Sequence, residues 1–259
     1  MPPEPGGARL PLTHALVLGA LHGPAELLPI SSSAHVALVP QLLDWPYAGL
    51  APDLRKAFEV ALHTGTLAAL LALVPLPRPA FALLTTVPAA VTGFVLEGPI
   101  EQRLGGTRAT AAGLLAGSAL LVAADARGPR RRRAADAGAR DALALGAAQA
   151  LALWPGLSRL GVTVAAARLR GFDRPDAFAL GRQAGLPIIA GATALKGWRL
   201  RQGGLARELR ASFAVGGLAA AASTLAAAPL REVTSVLPAV AERVALATVA
   251  LVRLPRSRR

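Results

Sequence analysis

The chain has 259 residues, of which 53% are hydrophobic and 17% charged, too little charge to cover the surface of a soluble domain. The formal charge of +13 comes almost wholly from arginine, since Lys56 and Lys196 are the two lysines, and aromatic residues at 4% are too sparse for the stacking platforms of a nucleic-acid groove. The basic connections are therefore expected to meet anionic headgroups, and the absence of cysteine excludes disulfides and thiolate chemistry.

In chain order, Met1 to Thr13 carries four prolines and one arginine, a poor signal-peptide n-region, and reads as a retained tail. His14 to Asp44 follows as an apolar segment interrupted by polar residues. Its first half, Ala15 to Leu28, makes about 21 Å of helix and cannot cross a core of about 30 Å before Pro29 ends it, so a re-entrant hairpin is expected. A break at that depth is tolerated where it is buried in protein or faces a wet cavity. Three candidate spans come next: Phe58 to Val74, Ala80 to Leu96 and Thr110 to Ala124. Arg130 to Arg133 read as a solvated loop against headgroups. A second interrupted segment, Asp141 to Arg170, breaks at Pro155-Gly156-Leu157-Ser158. Three further candidate spans close the chain: Phe178 to Lys196, Ser212 to Ala228 and Pro238 to Val252.

The two halves repeat. Leu18-Gly19-Ala20 followed by Pro29 matches Leu145-Gly146-Ala147 followed by Pro155, and Phe58, His63 and Gly65 match Phe178, Gln183 and Gly185 at equal spacing. Aligning the prolines sets Ser32 opposite Ser158 and Ser33 opposite Arg159. Each unit, residues 14–125 and 141–254, is then a hairpin plus three spans. An odd number of spans delivers the second unit in the opposite orientation, so the two breaks are expected to meet near the midplane. The fold class is thus an all-α integral membrane protein, an inverted-topology repeat with two re-entrant helical hairpins and about six transmembrane helices. Lys and Arg divide about evenly between the two sides, which leaves the orientation open.

Ionisable groups inside apolar segments are functional by default. His22 and Glu26 stand four apart on one helical face, and the bland alternative is a packing hydrogen bond. Ser31, Ser32 and Ser33 open the second half-helix, whose N-terminus attracts anions, although serine also caps ordinary helices. His35 lies one turn further on and could act as acid, base or nucleophile. In the second break Arg159 offers a planar fork to phosphate or, more simply, a salt bridge to Glu26. Glu59 with His63, Arg182 with Gln183, and an interfacial His14 are weaker signals.

Leu18-Gly19 through His35, with Glu26, Leu-Pro-Ile-Ser-Ser and a final His, resembles the first signature of the undecaprenyl-diphosphatase family. Pro155-Gly156-Leu157-Ser158-Arg159 through Gly161 and Thr163 resembles the second, and the likeness extends over about residues 14 to 196. The resemblance implies a divalent-metal-dependent membrane phosphatase that removes one phosphate from undecaprenyl diphosphate and so recycles the lipid carrier of the cell wall. Carried over by position, it makes Glu26, Ser32, His35 and Arg159 catalytic. Ser31, Ser33, Ser158, Arg159 and Thr163 become substrate-binding, and His22 and Glu26 metal ligands for Mg²⁺ or Ca²⁺. The departures are Leu160, where the family usually has a second Ser, and His22, where it usually has Glu or Gln. An imidazole at position 22 weakens a site for hard cations and suits transition metals. The expected partners are a polyprenyl diphosphate lipid and the bacterial inner membrane, with the site opening to its outer face. A homodimer is left open and nucleic acid is not expected. The rival readings are a polyprenyl-phosphate flippase or transporter, which would use the same arginine, and a scaffold with no substrate.

Overall fold

The computed structural model describes residues 10–127, 131–203 and 207–254. Most of the N-terminal tail, Arg130 and the C-terminal arginines from Arg256 onward lie outside those residues. Ten α-helices are described: α1 Leu12–Leu27, α2 Ser32–Leu42, α3 Pro52–Leu73, α4 Pro79–Leu104, α5 Thr107–Asp125, α6 Ala139–Leu151, α7 Arg159–Leu169, α8 Arg174–Gly203, α9 Arg207–Ala226 and α10 Leu237–Arg253. No strand occurs among the described residues beyond an isolated bridge between Arg132 and Phe172.

The six expected spans correspond to α3, α4, α5, α8, α9 and α10. Of these, α3, α5, α9 and the Pro79–Leu96 part of α4 are long and apolar enough by themselves to cross a bilayer. Helix α10 has 17 residues, about 25 Å, and α8 carries Arg182 and Gln183. Both depend on neighbours for their place. Outward faces are apolar: Phe94 is 90% exposed, Val252 78% and Leu218 71%, as expected of side chains meeting lipid.

The pairs α1–α2 and α6–α7 are the two re-entrant hairpins. Leu28 is extended because Pro29 follows it, and this ends α1. The connections between helices gather into two groups. In one, Ser212 donates to the Leu10 carbonyl, Thr107 donates to Gln41, and Leu10, Tyr47, Leu50, Leu209 and Phe213 share one apolar cluster. In the other, Arg78 donates to the Ala137 carbonyl, Arg132 N–H to the Gly171 carbonyl, and Arg174 to the Thr234 carbonyl. The first hairpin begins and ends in the first group and the second hairpin in the other, which is the arrangement an inverted repeat requires.

The second group is held by ion pairs. Arg132 grips Asp141 with both terminal nitrogens, at 3.0 and 2.7 Å, while Arg133 reaches Asp173 and Asp176. The expectation of a merely solvated loop is corrected for these two residues, because carboxylates from α6 and from the start of α8 fold back onto them.

Packing exchanges the halves. Helix α1 lies along α9 and α6 lies along α4, so each hairpin leans on the middle span of the other half, while α3 faces α8 and α5 faces α10. The repeated glycines explain the closeness: a Cβ on Gly19 would collide with the Gly216 carbonyl oxygen, and one on Gly146 would stand 2.6 Å from the Leu84 carbonyl oxygen. One register differs from expectation. Helices α2 and α7 each have 11 residues and each follows a serine of positive φ, Ser31 at 72° and Ser158 at 63°. The spacing from Leu18 to Leu145 also separates Ser31 from Ser158, so the structural partners are Ser31 with Ser158 and Ser32 with Arg159. Aligning on the prolines is off by one residue because α6 stops early and the chain turns through residues 152–157.

Candidate active site

The two breaks meet at Glu26, which sits on the last turn of α1 with its carboxylate buried. Arg159, the first residue of α7, donates from Nη2 to Glu26 Oε2 at 2.5 Å. Ser32, the first residue of α2, donates from Oγ to Glu26 Oε1, also at 2.5 Å. The carboxylate therefore ties together the N-terminal ends of both half-helices, where unpaired N–H groups and the helix dipoles favour an anion. Serine at positive φ is uncommon, and here it turns the chain sharply enough for a helix to restart at the break.

A second layer comes from α3. His63 Nε2 lies 3.4 Å from Glu26 Oε1, and its Nδ1 is 2.8 Å from the Glu59 carbonyl oxygen. His22, fully buried, places Nδ1 2.9 Å from Thr66 Oγ1, while its Nε2 is buried with no hydrogen-bond partner. The His22 and His63 rings meet edge-on with centroids 4.5 Å apart. One ligand atom from each of His22, Glu26 and His63 lies within 4.8 Å of the others. These three residues could hold a metal ion.

His35 is held elsewhere. Its Nδ1 is 2.9 Å from the Ser31 carbonyl oxygen and its Nε2 is 2.8 Å from Glu242 Oε1 on α10. Both ring nitrogens face oxygen acceptors, a pattern that a doubly protonated imidazole satisfies against a carboxylate. The histidine thereby fixes the Ser31 carbonyl and the turn that precedes Ser32.

The remaining expected site residues divide. Ser33 is exposed and Ser31 Oγ lies 3.3 Å from its hydroxyl, at the rim of the α2 start. Ser158 Oγ caps α7 by accepting from Gly161 N–H, and Thr163 Oγ1 donates to the carbonyls of Arg159 and Leu160. The hydroxyls of Ser158 and Thr163 are thus engaged with their own helix and are not brought to Glu26. Arg182 reaches the Arg231 carbonyl and sits 3.5 Å from the Leu27 carbonyl oxygen, and His14 stacks on Trp45 at 4.1 Å.

Sequence reasoning missed Thr66, Glu242 and Arg243 and gave His63 too little weight. Arg243 on α10 is fully buried. Its Nη1 donates to the Pro29 carbonyl at 2.9 Å, and its Nη2 lies 3.0 Å from the Gly156 carbonyl, 3.2 Å from the Leu157 carbonyl and 3.1 Å from the Leu114 carbonyl. One guanidinium therefore fastens both breaks to α5 and α10. The signal was available in sequence, because Glu242-Arg243 interrupts an otherwise apolar run.

The description "Bacitracin resistance protein BacA" belongs to the family whose model matches residues 15–75 and 79–238. An undecaprenyl-diphosphatase of Geobacter sulfurreducens is 43% identical over 217 residues, covering 75% of this chain and 78% of the relative. One from Thermomicrobium roseum is 40% identical over 243 residues, covering 81% and 84%. A third, from Chromohalobacter salexigens, is 39% identical over 213 residues, covering 74% and 78%. With both half-helix starts, the buried glutamate and the facing arginine lying inside the matched residues, the chain belongs to the bacitracin resistance protein BacA family.

Proposed function

We propose that this chain hydrolyses undecaprenyl diphosphate, or a closely related polyprenyl diphosphate, to the monophosphate and inorganic phosphate. The observation that carries the reading is the Ser32–Glu26–Arg159 constellation. It joins a hydroxyl already hydrogen-bonded to a carboxylate with a cation suited to phosphate oxygens, at the meeting point of two helix N-termini. Phosphoryl transfer needs chiefly positioning and charge neutralisation, and this constellation offers both.

In the proposed reaction Arg159 releases Glu26 and forks onto the diphosphate. The first-turn N–H groups of α2 and α7 hold the remaining phosphate oxygens. Glu26 takes the proton of Ser32 as its oxygen attacks the terminal phosphorus, and the bond to the bridging oxygen breaks to release the polyprenyl monophosphate. Glu26 passes that proton to the departing monophosphate oxygen, and the restored carboxylate then accepts a proton from water as the water attacks the phosphoserine. Glu26 returns this proton to Ser32 Oγ as the ester bond breaks, which frees inorganic phosphate and restores the hydroxyl. His35 is a positioning residue here, since its ring nitrogens are taken up by the Ser31 carbonyl and Glu242.

The family resemblance implies a divalent cation. His22 Nε2, buried without a partner, and the facing Glu26 and His63 atoms suit one. When bound, the cation would supply positive charge against the diphosphate oxygens. His22, Glu26 and His63 would hold it, with Thr66 and the Glu59 carbonyl orienting the two imidazoles. The same reading puts the protein in the bacterial inner membrane, serving lipid-carrier recycling, with its site opening to the outer face.

The test is covalent. Acid-quenched turnover of undecaprenyl diphosphate should leave phosphate on Ser32, read by mass spectrometry of the purified chain. Ser32→Ala should lose both the modified peptide and phosphate release. Lipid movement across proteoliposomes without any phosphate release would instead favour a carrier, which a pair of broken helices also suits.

A further inference from the structure

The donor set facing Glu26 differs from the oxygen-rich cage a hard cation needs. We infer that the pocket formed by His22, Glu26 and His63 selects a borderline divalent cation of the Zn²⁺ or Co²⁺ class over Mg²⁺ and Ca²⁺, with His63 as a ligand in its own right. This deepens the hydrolase reading of the same pocket and rests on it for its purpose, but not for its chemistry.

Three observations carry it. The first is the His63 tautomer. Its Nδ1 lies 2.8 Å from a backbone carbonyl, which can only accept, so Nδ1 bears a proton and Nε2 can turn a lone pair toward Glu26 Oε1. Donation of the second ring N–H to a carbonyl is the usual orientation of a metal-bound histidine. The second is the 3.4 Å separation of His63 Nε2 from Glu26 Oε1, long for a hydrogen bond. Two ligands on a tetrahedral cation with bonds of about 2.1 Å stand roughly that far apart. The third is His22, fully buried, with Nδ1 against Thr66 Oγ1 and Nε2 aimed at no protein partner. Donation from Nδ1 to Thr66 leaves Nε2 with a free lone pair, on a residue whose ligand atom lies within 4.8 Å of those of Glu26 and His63.

The count of oxygens then decides the class. Glu26 is the one carboxylate in the cluster, and its Oε2 already receives Arg159. Calcium takes 6–8 oxygen ligands and magnesium demands an octahedral oxygen set. Two imidazoles and one carboxylate, leaving a fourth position open for water or substrate, form a donor set that catalytic zinc uses.

The experiment uses the full chain in detergent, stripped with chelator and titrated with each cation by calorimetry, with no lipid present. Zn²⁺ is expected to bind one per chain, at least about 100-fold tighter than Mg²⁺ or Ca²⁺. Co²⁺ should give the intense visible d–d bands of a four-coordinate nitrogen and oxygen site. His63→Ala and His22→Ala should each weaken Zn²⁺ by at least about tenfold, His22→Glu should narrow the preference over Mg²⁺ by a similar factor, and His14→Ala should change nothing. Equal affinity for Mg²⁺ and Zn²⁺, or Zn²⁺ binding indifferent to His63→Ala, overturns the inference. The Co²⁺ spectrum of the unmutated protein keeps the test decisive should a variant fail to fold. Phosphate release measured in parallel separates the two readings. Zn²⁺ held as expected without any hydrolysis sinks the phosphatase and leaves the metal site standing. Hydrolysis driven by Mg²⁺ in a chain that does not retain Zn²⁺ sinks the metal class alone.

Discussion

Replacing Arg243 by methionine tests whether one guanidinium holds the two breaks in register. The substitution keeps most of the side-chain volume and deletes the donors that serve the carbonyls of Pro29, Gly156, Leu157 and Leu114. The Leu114 carbonyl retains a bond from Ser118 Oγ at 2.7 Å, so three carbonyls at the breaks lose this donor. An unsatisfied buried polar group costs about 1–3 kcal/mol, partly offset here because a desolvated cation is also removed. The net loss is expected to be about 3–5 kcal/mol, in line with breaking other buried charge networks. For a chain of this size that corresponds to a fall of about 6–20 °C in the thermal midpoint. Tryptophan fluorescence on heating in detergent reads the midpoint, and phosphate release reads the site. Arg243→Lys should recover part of each, because one ammonium cannot span both breaks. A methionine variant that melts within about 2 °C of the parent and hydrolyses at its rate would refute the clamp.

Other outcomes follow from the same geometry. Glu26→Gln should cut phosphate release by about 10³-fold or more, because it removes the acceptor of the Ser32 proton and the partner of Arg159 together. Gly19→Val and Gly146→Val should each prevent a hairpin from seating on the opposite middle span, read as loss of the monodisperse peak in size-exclusion chromatography. If Gly146→Val were tolerated, the packing of α6 on α4 would be wrong. The chain has no cysteine, so single-cysteine labelling is clean. With an impermeant maleimide, cysteines at Leu76 and Leu237 should react from one face of the membrane and a cysteine at Leu43 from the other. Labelling of all three from one face would contradict the inverted arrangement.

Much of this was legible in sequence because membrane constraints are severe. A half-helix too short to cross before Pro29 announces a re-entrant segment, and the glycine shared by Leu18-Gly19-Ala20 and Leu145-Gly146-Ala147 marks equivalent close contacts in both halves. The likeness of the two serines was visible, but the sequence offered two registers for them, one from the Leu-Gly-Ala spacing and one a residue away from the prolines, and did not decide the register. It depends on α6 ending three residues earlier than α1 does, and no propensity argument fixes helix ends that closely. Glu26, Ser32 and Arg159 were recognisable as charge and hydroxyl in the wrong solvent. His63 was harder, since an imidazole four residues from a glutamate on one helix suggests a local pair. It is the chain path of α3 past α1 that turns its Nε2 toward Glu26. Arg243 stood out as a charge in an apolar run, but what it binds did not, because its partners are backbone carbonyls that carry no sequence signal.

The central claim is that both hairpins contribute to one hydrolytic site, and phosphate release from undecaprenyl diphosphate by detergent-purified protein tests it most directly. Measured beside Arg159→Ala, with and without divalent cation, the parent chain should release phosphate. The variant should lose at least about 10³-fold while still eluting as a folded, monodisperse species. Release undiminished in Arg159→Ala, or none from the well-folded parent under any cation, would contradict the account.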